Sequence, residues 1–142
     1  MMEQNYKNHG RYVFAWHFLT GAAIIALLVG SIINLVNSSH ENLYSASLLV
    51  VVALILASTF WYSRQFALRA QDRAIRAEEN FRHYLLTGKP LSHQLRMSQV
   101  VALRFASDEE FPGLAARAIQ EKLSNSQIKK AIQTWRPDYN RA

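Results

Sequence analysis

The sequence predicts an all-α protein: a two-helix transmembrane hairpin whose second span continues into a cytoplasmic helical bundle. Three observations predict it. Two apolar runs, 13–36 and 44–62, carry no Asp, Glu, Lys or Arg, and at 1.5 Å per residue each is long enough to cross roughly 30 Å of hydrocarbon. Between Tyr44 and Leu86 there is neither Gly nor Pro, so nothing interrupts a helix that starts apolar and becomes charged. Beyond Pro90 the apolar residues recur at helical spacing in short stretches, two of them opened by capping-box spacings.

Residues 1–12 (MMEQNYKNHGRY) form a short polar arm. Asn5, Tyr6, Asn8, His9 and Tyr12 sit close together in it, so it reads either as a frayed tail or as a segment whose hydrogen-bonding side chains dock on the soluble domain. Lys7 and Arg11 place positive charge just before the first apolar run. That run, 13–36, is longer than a signal-peptide core and is followed by a second span and a basic domain, so it is expected to be an uncleaved anchor. Ala22, Ala26 and Gly30 repeat every four residues on one face, the pattern that lets helices approach closely in lipid, and Ala53 and Ala57 offer a matching face on the second span. Spacing alone leaves open whether these faces meet within one chain or between two copies. His17 is the ionisable residue within the spans, and with Trp16 beside it and Tyr12 about one turn away it is expected to anchor at the interface rather than relay protons.

The connection 37–43 (NSSHENL) has no Lys or Arg, whereas both other flanks are basic. The positive-inside rule then puts both termini in the cytoplasm and this loop outside. The second span, 44–62, ends on Trp61 and Tyr62, rings of the kind that settle at the headgroup level. Everything after it, 63–142, is expected to be cytoplasmic; that part holds fourteen Lys plus Arg against eight Asp plus Glu. Such a balance fits a face beside anionic lipid, with Lys7, Arg11, Arg64 and Arg69 as a juxtamembrane belt contacting headgroups.

In the charged part of the long helix, Ala67, Ala70, Ala74, Ala77, Phe81 and Tyr84 fall at alternating steps of three and four. They make a heptad-like seam expected to pack on a partner helix, from its own domain or from a second subunit. Asp72 with Arg76, Arg69 with Asp72, and Glu78 with Arg82 stand at spacings that allow pairing along a solvated face. Gly88 and Pro90 stop the helix. Three shorter helices are expected: from Leu91 or Ser92 to Ala106, from the Ser107–Glu110 capping spacing through Leu123, and from Ser124 through Trp135, with Pro137 beyond.

The strings QNYKNHGRY at Gln4 to Tyr12, RAQDRAIRAEENFRHY at Arg69 to Tyr84, LRFASDEEF at Leu103 to Phe111 and WRPDYNR at Trp135 to Arg141 carry a resemblance that runs the length of the chain. It resembles a family of small bacterial membrane proteins known only as a domain of unknown function. The resemblance implies a bacterial origin, hence the inner membrane, and two spans; it carries over no catalytic or ligand residue.

The absence of Cys removes disulfides, thiolate nucleophiles and Cys-ligated metals. His9, His17, His40, His83 and His93 are too scattered for a helical metal motif, and no nucleophile elbow or phosphate-binding glycine loop is present. No cofactor, small-molecule substrate or enzymatic activity is therefore expected. The helices 111–123 and 127–136, with Lys129, Lys130 and Arg136, resemble a helix-turn-helix only weakly, because Ile128, Ile132 and Trp135 equally form a core face. The expectation is an interaction or accessory module in the bilayer, engaging a protein partner or a second copy. A homo-oligomeric pore along Ala22, Ala26 and Gly30, and a membrane-tethered nucleic-acid regulator, rank below it.

Overall fold

The computed structural model describes Asn5, Tyr6 and residues 13–138. Among the described residues the secondary structure is helical: a short π-helical stretch, Ala15–Thr20, then α1 (Gly21–Val36), α2 (Leu43–Thr87), α3 (Met97–Leu103), α4 (Phe111–Gln120) and α5 (Asn125–Ala131). One isolated antiparallel bridge joins Ala106 to Trp135, and no strand forms among these residues. Two helices, Ala15–Val36 and Leu43–Thr87, are long and apolar enough to cross a membrane. The chain divides near Ala67 and Leu68 into two compact units, and Tyr6 belongs with the second.

In the first unit the opening turn is wider than an α-turn. Thr20 Oγ1 donates to the Ala15 carbonyl five residues back at 3.1 Å, and the His17 ring folds onto the same strand of backbone, its Nδ1 3.1 Å from Val13 N. The same nitrogen lies 2.9 Å from the Val13 carbonyl, so the ring meets either the amide or the carbonyl of Val13 according to its tautomer. At the other end of α1, Asn37 Nδ2 donates to the Ile33 carbonyl at 2.8 Å and Ser38 Oγ to the Asn34 carbonyl at 2.6 Å. Inside the unit, Trp16 stacks on Phe60 at 4.6 Å between centroids, and Ala46, Ala53 and Ser31 are buried. The buried Ser31 hydroxyl donates to Leu28 O at 2.9 Å, so its polarity is met within its own helix. The large apolar residues point the other way: Phe14, Val36 and Tyr44 are about three-quarters exposed.

Helix α2 runs 45 residues without a break, roughly 68 Å at 1.5 Å per residue. Gly88 ends it at φ 71°, a left-handed conformation that a residue without Cβ adopts at little cost. Gly88 N returns to the Tyr84 carbonyl at 2.8 Å, and Thr87 Oγ1 caps the His83 carbonyl at 2.7 Å.

The second unit has a conventional core, with Leu95, Val100, Leu103, Phe105, Phe111 and Ile128 fully enclosed. Its helices are shorter than their patterns predict. The stretch before Met97 is not helical, because Leu91 N is taken by Asn80 Oδ1 at 2.8 Å and Arg96 N by the Gln99 side chain at 2.8 Å. Gln99 also donates to the Ala118 and Leu123 carbonyls, tying α3 to the end of α4. The Ser107–Glu110 spacing makes a turn in which Glu110 N approaches Ser107 Oγ at 3.4 Å, and α4 begins after it with Pro112 in its first turn. At Ser124 the capping box closes fully: Ser124 Oγ accepts from Gln127 N, and Gln127 Oε1 accepts from Ser124 N at 2.7 Å. Helix α5 stops at Ala131, short of Trp135, since Gln133 N and Thr134 N turn to the Glu110 carboxylate at 3.2 and 2.9 Å.

Candidate functional site

Two features of the second unit stand out, a charged cleft and an uncovered helix face, and both are set by how α2 is rotated. Gln71, Ile75, Glu79 and Arg82 recur at steps of three and four, so they share one side of α2. That side meets the core: Ile75 and Glu79 are buried, and the Arg82 side chain is only 10% exposed.

Arg82 binds the unit together. Its guanidinium donates to Asp108 Oδ1 at 2.6 Å, to the Ala106 carbonyl at 2.7 Å and to Glu79 Oε2 at 3.0 Å, and it lies 4.6 Å from the Phe111 ring centroid. A planar fork with several fixed donors suits this task, where an ammonium would reach fewer partners. Burial pushes the Glu79 carboxyl above the usual glutamate range, while the positive charges of Arg82 and Arg136 pull against that shift. The net direction is upward because desolvation is the largest contribution.

Beside this group the segment after α5 crosses back over the core. Arg136 N donates to Phe105 O at 2.7 Å and Ser107 N to Thr134 O at 3.1 Å, around the Ala106–Trp135 bridge. Arg104 Nε lies 3.1 Å from Asp138 Oδ2, with the guanidinium 4.5 Å from the Phe105 ring centroid, and Trp135 packs on that same ring at 5.1 Å. A cleft of about 400 Å³ remains between this strap and α2, lined by Gln71, Ile75, Glu79, Arg104, Arg136, Pro137 and Asp138, with Ala74 and Glu78 at the edge that it shares with the exposed side of the helix. Gln71 Oε1 is buried there without a hydrogen-bond partner. Carboxylates and guanidinium groups lie close enough to neutralise one another, so the arrangement closes the strap over the core. Among the described residues no group of three or more His, Asp or Glu could hold a metal ion.

The opposite side of α2 carries the heptad-like seam. Ala67, Ala70, Ala74, Ala77, Phe81 and Tyr84 are all exposed, Phe81 by 62% and Tyr84 by 54%, and Leu85 beside them by 67%. The chain's own domain covers the polar side of the helix and leaves the apolar side open. Local pairing differs for the same reason: Arg82 takes Glu79 three residues back instead of Glu78, since Glu79 lies on the side that faces Asp108.

Of the span-packing residues, Ala53 is buried and Ala57 half-buried, while Ala22, Ala26 and Gly30 are exposed, with no atom near enough to meet a Cβ built on Gly30. The half-buried positions of α1 are instead Gly21, Ile24, Leu28 and Leu35, on the side where Ser31 is buried. In the basic belt Arg64 is half-buried and Arg69 exposed; Lys7 and Arg11 lie outside the described residues, as do Asn8, His9 and Tyr12 of the arm. Tyr6 does reach the helical unit, with its hydroxyl 3.1 Å from Ser126 Oγ and its ring 5.8 Å from Lys130 Nζ. In the helix-turn-helix candidate, Ile128 of the seven-residue α5 is fully buried and Lys129 Nζ lies 5.8 Å from the Phe105 ring centroid.

Sequence spacing missed Gln71, Glu79, Arg104 and the strap. An acidic residue three before an arginine on α2 was a visible signal, but its partner Asp108 stands 26 residues further on.

A family described as one of unknown function, DUF6526, covers the chain over residues 1–142. No curated protein and no solved structure matches it.

Proposed function

The chain belongs to the DUF6526 family, whose description attaches no activity to it, and from that premise we propose that it is a membrane-anchored protein-interaction module. The observation that carries this reading is the rotation of α2. Its own domain packs on Gln71, Ile75, Glu79 and Arg82, leaving Ala70, Ala74, Ala77, Phe81 and Tyr84 uncovered on the other side. An apolar face of that extent on a soluble helix is a place where another protein binds.

The anchor is a two-helix hairpin in this reading. Its support is that both long apolar helices leave their large side chains outward, with small residues such as Ala46 and Ala53 enclosed, the reverse of a soluble core. The loop 37–43 without Lys or Arg, against the basic flanks, favours both termini in the cytoplasm of a bacterium, beneath its inner membrane. Arg64 and Arg69, with Lys7 and Arg11, sit where anionic headgroups would meet them. The cleft beside Glu79 supports a structural role, fastening the strap, rather than catalysis.

Photo-crosslinking in living cells tests the module. A benzophenone amino acid at Phe81 or Tyr84 should yield discrete protein adducts, whereas the same group at exposed Gln94, off the apolar face, should not. Absence of any adduct from both positions, in a protein that is inserted and intact, would overturn the reading.

A further inference from the structure

Resting on that reading, we propose that the occupant of the open α2 face is a second copy of this chain, with the two α2 helices running parallel. The face has the register of a two-stranded coiled coil. With Ala67, Ala74 and Phe81 at the first core position and Ala70, Ala77 and Tyr84 at the second, the core repeats through nearly three heptads. It is more than a row of small residues, since Phe81, Tyr84 and Leu85 are each more than half exposed at its far end.

The charges that border this face select the partner. In this register Arg73 directly precedes the core position Ala74, and Glu78 directly follows the core position Ala77. Residues placed so, five apart, face one another across a parallel pair of identical helices, so Arg73 of each copy meets Glu78 of the other, twice over. In an antiparallel pair positions of one kind face each other, so Arg73 is set against Phe66, Arg73 or Asn80 and Glu78 against Gln71, Glu78 or Leu85, and neither meets its opposite charge. Both side chains are exposed, and neither joins an ion pair among the described residues. Their opposite signs thus fit one orientation of one partner.

Anchoring supplies the same orientation independently. α2 is one continuous helix from its apolar start to Thr87, so copies inserted alike in one bilayer send their α2 helices out in the same direction. Lipid is a poor alternative occupant. Phe81 lies nineteen residues beyond Tyr62, roughly 28 Å further along the axis. The four core alanines let two backbones approach closely, and confinement to one plane raises the effective concentration of a contact too small to hold in dilute solution.

Because the chain has no Cys, single cysteines in the full-length protein report this contact directly. Ala74→Cys and Ala77→Cys should form disulfide-linked dimers on mild oxidation in native-like membranes, several-fold above Arg69→Cys, which lies off the face. Co-expressed Ala70→Cys and Phe81→Cys chains should give no mixed disulfide beyond that background, whereas an antiparallel pair centred on the seam would, since it layers first core positions on second ones. On the Ala74→Cys background, Arg73→Glu and Glu78→Arg should each lower the dimer several-fold, and the double exchange should restore it; restoration also shows that the variants fold. Yields equal to Arg69→Cys, or a double exchange that fails to recover, would overturn the parallel pair. If Phe81 or Tyr84 then crosslinks only to a different protein, the interaction reading stands and the second copy falls. If they crosslink to nothing, both fall.

Discussion

The two stretches of α2 follow one pattern with opposite meanings. Before Ala67 the helix encloses Ala46 and Ala53 and turns Leu54, Ile55 and Trp61 outward. After Leu68 it encloses Ile75 and Glu79 and turns Phe81, Tyr84 and Leu85 outward. In the first stretch the inversion suits a hydrocarbon surround, where apolar side chains need no cover and small residues allow close packing. In the second it stands beside a core of ordinary polarity, with Phe105 and Phe111 enclosed, which in the proposed reading is surrounded by water. Outward apolarity there calls for protein. The same helix thus teaches that exposure acquires meaning only once the solvent is known.

The sharpest way to break the comparison is at Arg82, which gives the second stretch its polar inner side. Arg82→Ala removes one partner of a buried ion pair and should cost about 3–5 kcal/mol, read as a loss of thermal stability of the detergent-solubilised protein by tryptophan fluorescence, since Trp135 packs on the same core. Arg82→Lys should recover only part of it, because an ammonium cannot reach Glu79, Asp108 and the Ala106 carbonyl together.

In the first stretch the test is steric. Ala53→Leu places three more carbons where the native side chain is fully enclosed, and overpacking of that kind costs about 1–3 kcal/mol. Ala22→Leu, on the exposed side, should leave the stability unchanged when both variants are titrated with denaturant in micelles.

A third test uses pH. Burial raises the Glu79 carboxyl above its ordinary value, so its contribution to stability is fully present below the unfolded value and is lost as pH rises through the folded one. Glu79→Gln lacks that titration. Melting temperatures measured from acidic to neutral pH should therefore shift in favour of the variant, relative to the native chain, as pH rises. A difference independent of pH would show that burial does not govern this carboxyl.

The smallest expected effect is the most telling. Phe81→Asn, one residue from Arg82 but on the outer side, should change the unfolding free energy of the isolated chain by less than about 0.5 kcal/mol, while reducing association in membranes. A large loss of monomer stability would mean that the face is already in use within the chain.

Much of the fold was legible from local signals. The two apolar runs, the unbroken stretch to Leu86, the stop at Gly88 and the capping box at Ser124 each depend on residues within a few positions of one another. What was not legible depends on distant partners. Gln99 looks like a surface residue until the Ala118 and Leu123 carbonyls are brought to it, and Glu110 looks like a helix cap until Gln133 and Thr134 take it. The seam is visible in the spacing as a line of apolar residues on one face, yet that spacing could not tell that the domain would pack on the polar side of the helix. Alanines at heptad spacing look like core and a glutamate beside an arginine looks like surface; Asp108 and burial reverse both.

The strap that closes the second unit also fixes an order of events. Its residues Gln133 to Arg136 complete hydrogen bonds to Phe105, Ser107 and Glu110, so the unit cannot close before they have left the ribosome. By then the residues of both apolar runs, 13–36 and 44–62, are more than seventy positions back along the chain. Chains are made at about 5–20 residues per second, which gives those helices several seconds in which to reach their surroundings first. Synthesis order thus gives the apolar end a head start over the unit that the strap completes.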